Sequence, residues 1–369
     1  MLELGAKPDA TDDEGFTALH SAAEQGFLKV VELLLAKGAP LEVPDKKDRT
    51  PLDAAALCGH AEVVERLLDA GAKPDGLPSA VTTPVTTAAR QGHAAVLKLL
   101  LARGGNPEAA CTKDGTTALI AAAMGPWSQD AEFKVVPLST LNTSPHGSSE
   151  DYVRCVRMLL EKSANPLATC FDGSTALHLA ARFNQAETVR LLLEAKVSVE
   201  ALNRRLLTPL HCAAQGDAAE AAALLLERGA NPAPLLNSYT PLHAAAAAGS
   251  LKVAALLLKH GANPNQRDLK NMTPLHHAVM GGRTEFVKLL ATHHADLAGR
   301  DFAYNTPLHL AAGGDQAEVV RALLEAGANP ALRNLDGLTP LEVAKFSRFE
   351  ACIAALSRPV PTPTKPESP

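Results

Sequence analysis

Long apolar runs are missing from this sequence, which has no stretch of 18 apolar residues able to span a bilayer. Its first residues, Met1 to Lys7, have neither the basic segment nor the long apolar core of a secretory signal peptide. These features favour a protein that does not insert into membranes. We expect it in the cytoplasm, with the nucleus as the alternative.

An excess of basic charge is missing as well. The chain has 35 Lys and Arg against 40 Asp and Glu, a formal net charge of −5. Nucleic-acid binding calls for a basic surface, commonly with interleaved aromatic residues, and the sequence has no run of that kind. Nucleic acid is therefore not the expected partner.

Cysteines are few, and their spacing lacks any metal-binding pattern. None of the six forms a Cys-x-x-Cys pair or a Cys/His quartet, which argues against structural zinc. Reduced cysteines inside predicted helices serve as small apolar residues, and an intracellular compartment keeps them unpaired. We favour this interpretation over metal or redox chemistry for Cys58, Cys111, Cys155, Cys170, Cys212 and Cys352.

Catalytic signatures are absent from the sequence. No glycine-rich phosphate loop, nucleophile elbow or His-Glu-x-x-His motif occurs, and glycine pairs such as Gly313-Gly314 fall at predicted helix ends. The adjacent pairs His276-His277 and His293-His294 do not converge on one metal, because neighbouring helix residues point apart. We predict no enzymatic activity, no cofactor and no metal; turnover measured on the purified protein would contradict this.

One threonine-led phrase occurs ten times. Successive anchor threonines are 33, 33, 34, 58, 33, 32, 33, 33 and 33 residues apart, so one period governs the chain apart from a single excess of 25 residues (58 minus 33). A fixed period of this length indicates stacked repeats. The anchors are Thr17, Thr50, Thr83, Thr117, Thr175, Thr208, Thr240, Thr273, Thr306 and Thr339.

Each repeat contains the signals for two helices. Threonine is a good N-cap, and proline after it suits the first helical position. Small residues such as Ala22 and Ala23 follow, then a helix stop such as Gly26, then a second apolar run. Another glycine, for example Gly38, comes 21 residues after the anchor, where a left-handed C-cap needs it. Three repeats replace that closing glycine, with Ser163, Lys196 and His294.

The clearest copies of the phrase read Thr-Pro-Leu-His, beginning at Thr208, Thr240, Thr273 and Thr306. At a 33-residue period this phrase resembles the ankyrin repeat, and the resemblance extends from residue 1 to about residue 358. It implies an all-α solenoid of about ten stacked repeats with short β-hairpin loops. In this family the histidine of the phrase hydrogen-bonds within its repeat and to the next one, which implies a structural role for His20, His178, His211, His243, His276 and His309.

The repeats predict the organisation of the chain. Residues 1–12 copy the end of a repeat. Residues 13–125 hold repeats 1–3 and the first helix of repeat 4, residues 126–150 form an insertion, and residues 151–358 hold the rest of repeat 4 and repeats 5–10. Residues 359–369 form a proline-rich tail expected to be disordered.

Because the chain begins inside a repeat, we expect upstream repeats in the full product, a shortened isoform or gene model being the alternative. We expect the apolar first half of the insertion, with Trp127, to pack on the solenoid and the polar second half to stay mobile. We favour a tolerated surface insertion over a functional loop.

The resemblance also implies where a partner binds, because ankyrin arrays bind proteins with their hairpin tips and the concave face of their first helices. Positions four and one before the anchor are mostly polar in repeats 1–4 and become apolar in the later repeats. A contiguous apolar surface marks a contact site, although several of these side chains could instead cap the junctions between repeats. The candidate protein-binding residues are Phe171, Leu207, Tyr239, Leu269, Met272, Phe302, Tyr304 and Leu338, with Leu236 and Leu335 as weaker candidates.

We therefore expect a non-enzymatic protein–protein interaction module, acting as an adaptor or scaffold and monomeric on its own. The alternatives are a regulatory or inhibitory subunit that docks on an enzyme, and the ankyrin segment of a larger signalling protein. The fold does not identify the partner, since unrelated proteins are bound by this architecture.

Overall fold

A computed structural model of the chain describes residues 7–127, 147–234 and 238–357. Within these ranges the chain forms twenty α-helices in ten pairs, one pair for each anchor threonine, and a single 3-10 turn at Gly125–Trp127. The predicted all-α repeat solenoid is confirmed. The chain divides into two compact units, Met1–Arg205 and Leu206–Pro369, and five helix pairs belong to each.

In the first unit, odd numbers denote the first helix of a repeat and even numbers the second. Within this unit, successive first helices pack on one another, and so do successive second helices. The helices are α1 (Ala18–Glu24), α2 (Leu28–Ala36), α3 (Pro51–Cys58), α4 (Ala61–Asp69), α5 (Pro84–Gln91), α6 (Ala94–Ala102), α7 (Ala118–Ala123), α8 (Ser149–Glu161), α9 (Ala176–Arg182) and α10 (Ala186–Glu194).

The second unit repeats the same arrangement. Its first helices also pack successively on one another, as do its second helices. The helices are α11 (Pro209–Gln215), α12 (Ala219–Glu227), α13 (Pro241–Ala248), α14 (Leu251–Lys259), α15 (Pro274–Met280), α16 (Thr284–Thr292), α17 (Pro307–Gly313), α18 (Ala317–Glu325), α19 (Pro340–Ser347) and α20 (Glu350–Leu356).

Close approach of the first helices depends on small side chains. In α3 the run Ala54–Ala56 is fully or almost fully buried, and the pairs Ala213-Ala214 and Ala245-Ala246 in the second unit are completely buried. A larger side chain there would push the neighbouring helix away, since interiors are packed without spare volume. None of the helices in the described ranges is both long and apolar enough to cross a membrane.

Every anchor threonine is the N-cap of a first helix, and in six repeats a histidine stands three residues later. In repeat 7 the Thr240 N–H donates to Nδ1 of His243 at 3.0 Å, so the ring proton sits on Nε2, which donates to the Met272 carbonyl at 3.2 Å. The predicted structural role is confirmed for the histidines whose Nε2 reaches the next repeat, at 2.7 to 3.4 Å: His20, His211, His243, His276 and His309.

In repeats 1 to 9 the closing position adopts the left-handed conformation that the glycines predict. Gly38 has a φ of 79° and Gly327 a φ of 94°. Ser163, Lys196 and His294 take the same conformation, with φ of 61°, 63° and 59°. The left-handed conformation costs about 1 kcal/mol for a residue with a Cβ. The packing of the repeats must therefore offset this local backbone strain at the three positions.

The loops before the anchors contain less sheet than the predicted hairpins. In the described residues they show isolated antiparallel bridges rather than strands, between Thr11 and Thr17, between Ala110 and Thr117, and between Thr169 and Thr175. Other loops are held together by turns and by backbone hydrogen bonds to the loop of the neighbouring repeat.

The second helix of repeat 4 begins at Ser149, two residues before the predicted boundary at 151. Ser148 caps it in a reciprocal arrangement. The Ser148 hydroxyl accepts a hydrogen bond from the backbone N–H of Asp151, and the Asp151 carboxylate accepts one from the backbone N–H of Ser148. Tyr152 then reaches back with its hydroxyl, which donates to the Arg90 carbonyl at 3.1 Å. The helix is thereby tied to the preceding repeat.

Several predictions lie outside the described residues. These concern residues 1–6, most of the insertion (128–146), Leu236, and the tail from residue 358 onward. The packing predicted for the Trp127 side chain likewise lies outside them.

Candidate protein-binding face in the second unit

Among the described residues, those four positions before an anchor are exposed, and we call them tip residues. In repeats 8, 9 and 10 they are Leu269, Phe302 and Leu335, spaced by 33 residues; Leu269 is 74% exposed and Phe302 70%. The Leu335 N–H donates to the Ala303 carbonyl at 3.0 Å, so the loops of repeats 9 and 10 lie side by side. Phe171, in the first unit, is also an exposed tip residue.

The residues one position before an anchor turn inward instead. Leu207 and Met272 are only 6% and 7% exposed, whereas Leu338 is half-buried. Their backbones lie at the junction between repeats, where the carbonyl of Met272 accepts a hydrogen bond from His243 and that of Leu338 accepts one from His309. The prediction that Leu207 and Met272 belong to an exposed surface is wrong, because both side chains are buried, and the alternative of packing at the junction between repeats applies to Met272.

Tyr239 is half-buried in a cluster of rings. Its ring stacks on His243 with centroids 5.4 Å apart and meets His277 edge to face at 5.5 Å. His277 in turn pairs with the Asp268 carboxylate at 2.8 Å, and this contact helps hold the pKa of Asp268 below its usual value against the opposing effect of burial. The packing indicates that Tyr239 stabilises repeats 7 and 8.

Tyr304 remains exposed, in a left-handed backbone conformation with a φ of 58°. The Arg300 guanidinium lies 5.4 Å from the centre of its ring, a cation–π distance. Tyr304 thus presents an exposed aromatic ring two residues after Phe302 in the same loop.

A groove of about 690 Å³ lies beside these tips, against the first helices of repeats 8 to 10. Met280 and Phe346, each seven residues after its anchor, are 60% and 86% exposed along it. The corresponding residue between them, in α17, is Gly313, which has no side chain and leaves a notch. The apolar lining is completed by Leu310, Leu338 and Val343.

The remaining groove lining is polar but carries little charge. Asn305, Asn334 and Gln316 contribute amide groups, and Asp336 contributes a carboxylate at the loop end. His309 lines the floor; burial lowers its pKa, so the ring is neutral at pH 7. Asp336 is therefore the one formal charge among the lining residues.

Comparison with known proteins agrees with the repeat pattern. Family models described as ankyrin repeats in three copies match residues 1–76, 147–235 and 231–301, and one described as ankyrin repeats in many copies matches 301–344. The chain belongs to the ankyrin repeat family. It is similar to the crystal structure of the human ASB11 ankyrin repeat domain, with a TM-score of 0.51 and 26% identity over 57% of this chain and 96% of that one. No curated protein matches the chain.

Ankyrin repeats are in general protein–protein interaction modules, and the described part of this one has no group of His, Cys, Asp and Glu side chains that could hold a metal ion. Burial raises the pKa of Cys155 and of Cys170 to about 12. Both are therefore protonated thiols at neutral pH, which are poor nucleophiles and poor metal ligands.

The groove of this ankyrin repeat protein was not predicted from the sequence, although a signal for it exists. Met280, Gly313 and Phe346 occupy one repeat position, in which a glycine stands between two large apolar residues. Reading that position down the repeats would have indicated a notch between exposed side chains.

Proposed function

We propose that the second unit binds a partner protein through the groove and the neighbouring tip residues, and that the protein acts as a non-enzymatic adaptor or scaffold in the cytoplasm or nucleus. The observation that carries the proposal is the exposure of Met280 and Phe346 on either side of a concave notch. Large apolar side chains exposed together around a depression are typical of contact surfaces rather than of solvent-facing helices.

The extent of the apolar surface favours a protein over a small molecule as the partner. Leu269, Phe302 and Leu335 continue it across three successive repeats. Packed helices are about 10 Å apart, so this row is about 20 Å long. A small ligand would fill the groove without covering the tips, whereas a protein segment covers both.

Replacing Phe302 and Phe346 with serine tests the proposal. Both side chains are mostly exposed, so we expect the circular dichroism and the melting temperature to stay nearly unchanged. Capture of the cellular partner, identified by mass spectrometry and quantified against wild type, should fall at least tenfold because hot-spot aromatic side chains contribute most of the binding energy. Met272 is left intact because it is buried.

Leu251→Ser is the matched control, since Leu251 is an exposed apolar residue of α14, a second helix of the same unit. We expect it to bind the partner as the wild type does. Equal losses in the control and in the double variant, or unchanged capture by the double variant, would contradict the proposed site.

A further inference from the structure

The chemistry of the groove narrows the class of its partner. We propose, building on the proposed function, that the groove binds a peptide segment of the partner in which a bulky apolar side chain lies close to a lysine or arginine. The apolar side chain fills the notch at Gly313, and the cationic one pairs with Asp336.

The notch at Gly313 leaves room for a side chain from a partner. A Cβ atom placed at Gly313 would lie 3.3 Å from Cγ1 of Val343 and would meet nothing else within 4 Å outside its own helix. Met280 and Phe346 stand exposed on its two sides. Leucine, isoleucine, methionine or phenylalanine from a partner can enter here and be covered by apolar contacts.

Asp336 has no cation of its own. It is exposed, and it has no ion pair with any described residue. The nearby arginines are engaged elsewhere, because Arg333 pairs with the Glu342 carboxylate at 3.1 Å and Arg300 lies over the Tyr304 ring. A cation supplied by the partner would meet an open carboxylate beside an apolar surface, where charge-assisted hydrogen bonds are strong.

No positive group lines the groove to oppose that cation. Lys345 lies in α19 and Arg348 is the C-cap of that helix, but neither residue lines the groove. His309 is neutral at pH 7 because burial lowers its pKa. An acidic segment would therefore meet Asp336 without compensation and be disfavoured.

Selection from a phage-displayed library of random 12-residue peptides on the immobilised full chain tests the proposal. We expect the enriched peptides to combine Leu, Ile, Met or Phe with Lys or Arg. A synthetic copy of the most enriched peptide, labelled with a fluorophore, then gives the affinity for each variant by fluorescence polarisation.

Three variants separate the parts of the proposal. Gly313→Leu fills the notch, favours the helix, and should weaken the peptide at least tenfold without loss of fold. Asp336→Lys should weaken it similarly and turn a new selection toward Asp and Glu. Glu325→Lys makes the same charge change on α18 away from the groove, and should leave the affinity within twofold of wild type.

The failures are distinguishable. If Gly313→Leu blocks the peptide but Asp336→Lys selects the same cationic sequences, the groove binds and the charge assignment is wrong. If Gly313→Leu leaves binding intact, or no peptide is enriched, the proposed site itself is contradicted. A tenfold gain in affinity on ending the chain at Ser357 would show that its own tail fills the groove, which would overturn the assignment to a partner.

Discussion

Acidification from pH 7 to pH 4 is expected to lower the free energy of unfolding of the second unit by several kcal/mol. The reason is the histidine that links each repeat to the next. His243, His276 and His309 are buried with Nε2 donating to a backbone carbonyl and Nδ1 accepting from a threonine N–H. Protonation adds a hydrogen to Nδ1, and that hydrogen would point at the threonine N–H.

The direction of the pH effect follows from the lowered pKa values. Burial, together with the nearby His277 ring, lowers the pKa of His243 from 6.5 to about 4, and burial also lowers the pKa of His276 and His309. The unfolded chain therefore takes up protons first as the pH falls. The stability that these neutral rings contribute is complete above about pH 6.5 and is lost toward pH 4. For His243 alone the shift corresponds to about 3 kcal/mol.

Hydrogen exchange followed by mass spectrometry measures this effect locally, after correction for the intrinsic pH dependence of exchange. Peptides from α13, α15 and α17 should lose protection between pH 6.5 and 4. His243→Gln should reduce the pH slope by up to one proton, whatever it does to stability at neutral pH. Protection that does not change with pH in these helices would show that the rings are not buried as neutral groups.

Asp53→Asn is expected to stabilise the first unit at pH 7.5 by about 2 to 3 kcal/mol and to have almost no effect at pH 4. Asp53 stands where other repeats have histidine, and it accepts from the Thr50 N–H and hydroxyl through Oδ2. Its Oδ1 is buried without a partner. Burial raises the pKa of Asp53 from 3.8 to about 6 despite these bonds.

The sign is opposite to that of the histidines. Because the folded-state pKa is raised, the contribution of Asp53 is fully present below about pH 4 and is lost as the pH rises through 6. Asparagine is neutral at every pH. Its amide oxygen can still accept hydrogen bonds from Thr50, and its NH₂ group replaces the Oδ1 atom, which has no donor in the folded protein. The gain should therefore appear only where the aspartate is ionised.

Urea denaturation at pH 4 and pH 7.5, fitted for the first unit with hydrogen exchange of α3 as a local check, measures the difference. Asp13→Asn, at an exposed position, is the control and should be neutral at both values. Stabilisation of equal size at both pH values would show that the charge of Asp53 is not its cause.

The helices could be predicted from the sequence because their signals are local. An anchor such as Thr240 followed by Pro241 caps and starts a helix through contacts within four residues. Gly249, nine residues after that anchor, adopts the left-handed conformation at the C-cap that ends the helix. The sequence contains each of these signals before any packing is known.

Exposure of the candidate site could be predicted only in part, because it depends on the neighbouring repeat. Phe302 and Met272 are both apolar in the sequence, but Phe302 is exposed at a tip, whereas Met272 is buried at the junction where its carbonyl accepts from His243 of the preceding repeat. The notch at Gly313 arises from a missing side chain between residues of two other repeats. A search for apolar residues does not find it.

Site-specific photocrosslinking tests the proposed binding face most directly. p-Benzoylphenylalanine at position 346 replaces one exposed aromatic ring with another, and the same group at position 251 probes a second helix of the same unit. We expect the partner to be crosslinked from position 346 and not from position 251. Crosslinking from 251 with none from 346 would contradict this expectation.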